Sequence, residues 1–187
     1  MDNAGTVTKK SNFSTIDIAY IALGTALIAI CSWISIPTAV PFTLQTFAIF
    51  AILSLLGGKR GSLSILVYIL LGAVGVPVFA GFSGGLGVVL GSTGGYIIGF
   101  LLTGLIYWVI TSLTKKSFVI EVVSLIIGLA ACYALGTIWF MVVYARGNGP
   151  ISAMTALGWC VFPFIIPDLI KLALGLVLAR RVRPVIK

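Results

Sequence analysis

Apolar residues fall in six blocks along the chain, at roughly 15–35, 46–57, 61–76, 93–113, 118–143 and 167–180, each bounded by charge, glycine or proline. Crossing a bilayer upright takes about 20 apolar residues, so the pattern predicts six membrane-spanning helices. The second and third blocks are shorter than that, and their ends must be completed by the loops joining blocks one to two and three to four. Irregular backbone at membrane depth is tolerated only where protein or a cavity covers it, so a cavity is implied before any side chain is considered. The expected fold class is all-α integral membrane. It comprises a single membrane domain over 1–187: a tail at 1–14, a six-helix bundle at 15–180 and a basic tail at 181–187.

Composition agrees: 60% of residues are hydrophobic, 9% are charged and the mean hydropathy is +1.21, whereas soluble domains carry about 25% charged residues. The first dozen residues are polar and basic. The apolar segment after them is too long for a removable signal peptide and lacks its small-residue cleavage pattern, so they read as a cytoplasmic tail. Lys9, Lys10, Lys59, Arg60, Lys115, Lys116, Arg180, Arg181, Arg183 and Lys187 then share one side of the membrane, with Arg146 on the other and Lys171 within a span. The positive-inside rule puts both termini in the cytoplasm. The net charge of +8 is thereby a topology signal, and no nucleic-acid partner is expected, because no basic stretch interleaves with exposed aromatics. Cys31, Cys132 and Cys160 sit singly in apolar stretches and there is no histidine, so no metal site is expected.

Unusual sequence gathers on the external side. "SIPTAVPFTLQT" (35–46) has Pro37 and Pro41 to stop a helix, and Thr43, Gln45 and Thr46 to offer hydrogen bonds. "GAVGVPVFAGFSGGLGVVLGSTGGY" (72–96) is dense in glycine, which serves either tight helix packing or a loop whose N–H groups line a ligand. "YARGNGPISAMTALGWCVFPFIIPD" (144–168) turns at Gly147, Gly149 and Pro150, holds a short amphipathic piece, and ends with Pro163 and Pro167. Proline favours the first turn of a helix, so Pro167 is expected to start the last span, with Asp168 in its first turn.

Asp168 and Lys171 are the chemistry-bearing pair. One reading has Asp168 capping the helix while Lys171 neutralises it. The other starts from the cost of an ionisable residue at the centre of a membrane helix, about 2.5–3.5 kcal/mol, which usually marks a substrate site. Spaced ~4.5 Å along the helix, the pair would complement a compact group with donors and an acceptor, such as a urea-like ring. Asp17 and Glu121 fall near helix starts, where capping and surface roles are expected. Trp33, Trp108, Trp139 and Trp159 lie mostly near segment ends, as interfacial belts require, though any of them would also stack on a ligand ring. Ala22 to Ala26, "ALGTA", is a small-xxx-small face open to close helix contact.

"PFTLQTF" (41–47), "GAVGVPVFAGFSGGLGVVLGSTGGYIIGF" (72–100), "YALGTIWF" (133–140) and "PFIIPDLIK" (163–171) together resemble the BioY family, the biotin-specific substrate-binding S components of energy-coupling factor (ECF) vitamin transporters. The resemblance covers most of the chain. It departs at Ser92, where the family usually has proline, at Ile166-Pro167 and at Phe82-Ser83, none of which removes a group assigned to the ligand. It implies six helices, an external high-affinity biotin pocket and residence in a bacterial cell membrane. The implied partners are the transmembrane coupling protein EcfT, docking at Ala22 and Ala26, and two cytoplasmic ATPases. No G-x-x-x-x-G-K-[ST] loop occurs in this chain, so energy must come from those partners, and no cofactor is expected beyond the ligand biotin.

Under this resemblance the ureido ring sits near Asp168 and Lys171, with Thr43 and Gln45 as further contacts. The fused ring lies against Tyr96, Trp139 and Tyr144, and the carboxylate points to the 81–93 loop, where Ser83, Ser92, Thr93 and backbone N–H groups such as that of Gly85 would donate. The reverse pose, with Lys171 on the carboxylate, stays open. A secondary transporter would need a coupling-ion site and often inverted repeats; an intramembrane enzyme would need an activated nucleophile. The sequence offers neither convincingly.

Overall fold

Ser14 opens the first helix, α1 (Thr15–Trp33), in a reciprocal cap: the Asp17 N–H donates to the Ser14 hydroxyl at 3.2 Å, and the Ser14 N–H donates to the Asp17 carboxylate at 2.8 Å. The capping role expected of Asp17 is present, and the carboxylate also pairs with Arg60 at 2.5 Å. This computed structural model describes residues 14–115 and 117–185. The expected N-terminal tail up to residue 13, with Lys9 and Lys10, lies outside the described residues, as do Lys116, Ile186 and Lys187.

After α1 the proline-bearing stretch forms a small hairpin. Strands β1 (Ser35–Ile36) and β2 (Phe42–Thr43) pair antiparallel, Ser35 opposite Thr43. Helix α2 (Gln45–Ala73) follows, with a break at Gly57, where φ is 81° and ψ is 168°, a conformation almost confined to glycine. The chain reverses there. Gln45 Nε2 donates to Tyr68 OH at 3.0 Å, whereas a straight helix would hold them about 35 Å apart, and the Cβ position of Gly61 is 3.1 Å from Leu53 Cα. The second and third apolar blocks are therefore the two arms of one helical hairpin.

The glycine-rich stretch is irregular but pinned. It contains a 3-10 turn at Ala80–Phe82 and the one-turn helix α3 (Leu86–Val89). Trp33 Nε1 donates to Pro77 O at 2.9 Å, Ser32 Oγ to Val78 O at 2.5 Å, and Gly85 N–H to Gly72 O at 2.6 Å, fixing the loop against α1 and α2.

Helix α4 (Gly94–Leu113) meets the expected block within a residue. Helix α5 (Phe118–Asn148) overruns its block, because polar residues end an apolar run without ending a helix; the stop comes at Gly149, φ 82°. The amphipathic piece of the third external stretch is helix α6 (Ala153–Cys160). Helix α7 (Phe162–Val182) starts earlier than expected: Pro163, not Pro167, occupies its first turn, and Pro167 lies inside the helix. Asp168 thus stands in the second turn, beyond the end where the helix dipole and orphan N–H groups act.

Helix α2 packs against α1, α4 and α7, and α4 packs against α5. Hydroxyls join the helices: Thr25 donates to Ser64 O at 3.0 Å and Thr103 to Gly128 O at 2.9 Å, the polar links that lipid-embedded helices use where apolar burial drives little association. Among the described residues, five helical stretches are long and apolar enough to cross a membrane: Thr15–Trp33, Gln45–Ala73, Gly94–Leu113, Phe118–Asn148 and Ala153–Val182.

Candidate ligand-binding site

Helix α7 carries Asp168 and Lys171 on its inner face, 2% and 6% exposed. Lys171 Nζ donates to Asp168 Oδ1 at 2.9 Å and to the carbonyl of Thr43 at 2.7 Å, and it sits 4.2 Å from the centroid of the Phe42 ring. The hairpin before α2 thereby supplies a carbonyl and an aromatic face to the ammonium. Two hydroxyls complete the carboxylate's surroundings: Thr46 donates to Oδ1 at 2.8 Å and Tyr133 to Oδ2 at 2.6 Å. A buried ion pair stands only when its remaining lone pairs and protons are satisfied, and four elements converge to do this. Capacity for a ligand remains, since each carboxylate oxygen can accept two bonds and an ammonium has three donors.

The pair borders a cavity of about 50 Å³ lined by Thr46, Leu129, Tyr133 and Phe164. A second cavity of about 100 Å³ lies beside it, lined by Gln45, Tyr68, Phe79, Ser83 and Thr93. The two share Val40, Pro41, Thr43, Tyr96 and Phe100 as walls. They form one elongated recess, with a charged lobe at Asp168–Lys171 and a hydroxyl- and amide-bearing lobe against the glycine-rich loop. Tyr96 between them is 6% exposed and its hydroxyl shares a 2.9 Å bond with Thr137.

Of the residues expected at the site, Asp168, Lys171, Thr43, Gln45, Ser83, Thr93 and Tyr96 all line the recess. Gly85, Trp139 and Tyr144 are not among the lining residues. Trp139 Nε1 donates to Gly91 O at 2.9 Å and its side chain covers Gly95, so it braces the loop from outside. Tyr144 stacks on Phe140 and meets Trp159 edge-on; eleven residues beyond Tyr133, it is about 16 Å further along α5. Tyr133 and the aromatics Phe100, Phe164 and Tyr68 are additions that no local pattern announces.

Glu121 is not the surface group expected. It accepts from Arg183 at 2.8 Å, and Arg183 also donates to Ser54 O at 2.5 Å, tying α5, α7 and the first arm of α2 together at the end of the bundle remote from Asp168. Ala22 and Ala26 are exposed on α1, in line with exposed Ile18 and Ile30.

Residues 6–187 match the model of the BioY family. The chain belongs to the BioY family. It is 41% identical over 160 residues to the biotin transporter BioY of Thermotoga maritima, covering 85% of this chain and 90% of the relative. It is 39% identical over 168 residues to the probable biotin transporter BioY of Pyrococcus horikoshii, covering 89% and 96%. The fold aligns with the crystal structure of the S-component for biotin from an ECF-type ABC transporter at a TM-score of 0.77 and 31% identity, covering 90% of this chain and 91% of that one. Within this BioY-family chain, the strings that carry the sequence resemblance therefore meet around one recess: 41–47 provides the hairpin wall, 72–100 the second lobe, and 133 and 163–171 the charged lobe.

Proposed function

We propose that this chain is the high-affinity biotin-binding S component of an ECF-type importer, carrying biotin across the cell membrane of a bacterium as a multi-pass protein. The observation that carries the reading is the buried Asp168–Lys171 pair, held by Thr46, Tyr133 and Thr43 at one lobe of an elongated recess. Biotin is elongated in the same sense: a ureido ring, an apolar thiophane and a tail ending in a carboxylate. The ureido N–H donates to Asp168 and its oxygen accepts from Lys171, while Phe42, Phe100, Tyr96 and Phe164 supply apolar contact to the fused ring. The carboxylate reaches the lobe of Gln45, Ser83 and Thr93. Both lobes together are smaller than the roughly 300 Å³ at which small-molecule pockets begin, so ligand entry displaces the shared wall, and the Val40–Pro41 hairpin is the part not embedded in a long helix.

The hairpin at Gly57 supports six crossings, two of them by short arms, with both termini on the cytoplasmic side where Lys59, Arg60, Arg180 and Arg183 gather. The exposed stripe of Ala22 and Ala26 supports docking of the coupling protein EcfT through α1, and the chain relies on two partner ATPases for energy.

Binding of biotin and of diaminobiotin, which keeps the nitrogens but lacks the ureido carbonyl that accepts from Lys171, to the wild type and to Lys171→Met tests the pose. A loss confined to biotin is expected. An unchanged biotin affinity in the variant would refute the placement of the ureido ring.

A further inference from the structure

At the end of the bundle remote from Asp168 lies a cavity of about 620 Å³, set between α1, the turn of the α2 hairpin, α4, α5 and Arg183, which caps the C-terminal end of α7. Its walls include Lys59, Arg60 and Arg183, with Glu121 as the one carboxylate among the lining residues; with Asp17, which pairs with Arg60 from beside the cavity, one positive charge remains in excess. Arg60 engages Asp17, and Arg183 engages Glu121 and Ser54, each through Nη2; a guanidinium carries five donors in a fork that fits phosphate oxygens. Trp108 belongs both to the cavity wall and to the outer surface, being 37% exposed. Beside it on α4, Leu105, Val109 and Leu113 are exposed at 40%, 53% and 80%, so the mouth of a basic cavity opens onto an apolar, lipid-facing strip. A soluble anion needs only the basic cavity, whereas an anionic head group with acyl chains accounts for both features.

We infer that this cavity binds the phosphodiester head group of an anionic phospholipid, held by Lys59, Arg60 and Arg183, with its acyl chains along the exposed face of α4. Basic pockets between membrane helices on the side that carries the Lys and Arg residues suit such head groups.

The test uses the full chain in mixed micelles containing either acyl-brominated phosphatidylglycerol or acyl-brominated phosphatidylcholine. The tryptophan quenching assigned to Trp108 is obtained by difference from Trp108→Phe. At about 0.1 M salt the anionic lipid should quench at least about fivefold more effectively, the order expected for a single basic side chain near an anionic surface. The preference should fall toward unity at about 1 M salt and in the Lys59→Gln/Arg60→Gln variant, with circular dichroism showing whether that variant keeps its helices. If it does not, the salt dependence of the wild type decides. Persistence of the preference in 10 mM inorganic phosphate, about four orders of magnitude above a dissociation constant of about 1 μM, supports a lipid. Equal quenching by the two lipids overturns the inference, as does a preference abolished by phosphate, which would assign the cavity to a free anion.

Discussion

Replacing Lys171 by methionine keeps an unbranched stem of similar reach and removes the ammonium. The change deletes an ion pair of 2.9 Å, a bond of 2.7 Å to Thr43 O and the contact with the Phe42 ring, and it leaves Asp168, 2% exposed, without its counter-charge. Breaking a buried pair from one side costs about 3–5 kcal/mol. Thr46 and Tyr133 still donate to the carboxylate, which places the cost near the lower end, about 3 kcal/mol. At roughly 2–4 °C per kcal/mol for a chain of this size, the melting temperature in detergent, followed by tryptophan fluorescence, should fall by about 6–12 °C. Asp168→Asn should also destabilise, because it leaves the ammonium buried. The double variant Asp168→Asn/Lys171→Met buries no charge, so its loss should be smaller than the sum of the single losses by about 2 kcal/mol, within the range seen for residues in contact. It should nevertheless bind no biotin. Strictly additive melting shifts would refute the claim that the two charges are held by one another.

Tyr133→Phe removes the 2.6 Å bond to Asp168; a hydrogen bond to a charged group contributes about 1.5–3 kcal/mol to stability, so at roughly 2–4 °C per kcal/mol the melting temperature should fall by about 3–12 °C. Gly57→Ala forces a side chain into φ 81°, ψ 168° and should cost about 1–3 kcal/mol, read as a lower melting temperature with biotin stoichiometry retained. Arg183→Gln loosens the far end of the bundle and should lower the melting temperature while leaving the biotin dissociation constant within about twofold, since Arg183 lies twelve residues, about 18 Å, along α7 from Lys171. Ala22→Trp should abolish co-purification with the coupling protein and leave biotin binding unchanged; retained assembly would remove α1 from the docking surface.

Much of the fold was legible because bilayer thickness constrains the lengths of membrane helices so tightly. The ends of α1 and α4 fall within two residues of the edges of their apolar blocks, where hydropathy and helix termination change together. At α5 they separate: Tyr144 to Asn148 remain helical although the apolar run is over, and only Gly149 supplies a backbone stop. At α7 two prolines compete for one role, and the sequence has no means of preferring Pro163 to Pro167; the choice decides whether Asp168 is a cap or an inward-facing group. In the site, Asp168 and Lys171 were legible because charge in an apolar run is costly. The bonds that define them were not, since Thr46 lies 122 residues and Tyr133 35 residues from Asp168, and no periodicity spans such distances. Trp139 and Tyr144 illustrate the converse. Aromatic character suits a ligand ring, but the phase and height of each on α5 turn one toward the glycine-rich loop and carry the other past the recess.

Calorimetric titration of biotin into the detergent-purified chain, beside folded Asp168→Asn and Lys171→Met variants, tests the central claim most directly. The account predicts one biotin per chain, tightly bound by the wild type and lost or strongly weakened in both variants. Absence of binding by the wild type would contradict the proposed function, and wild-type affinity in both variants would contradict the assignment of the buried pair to ligand recognition.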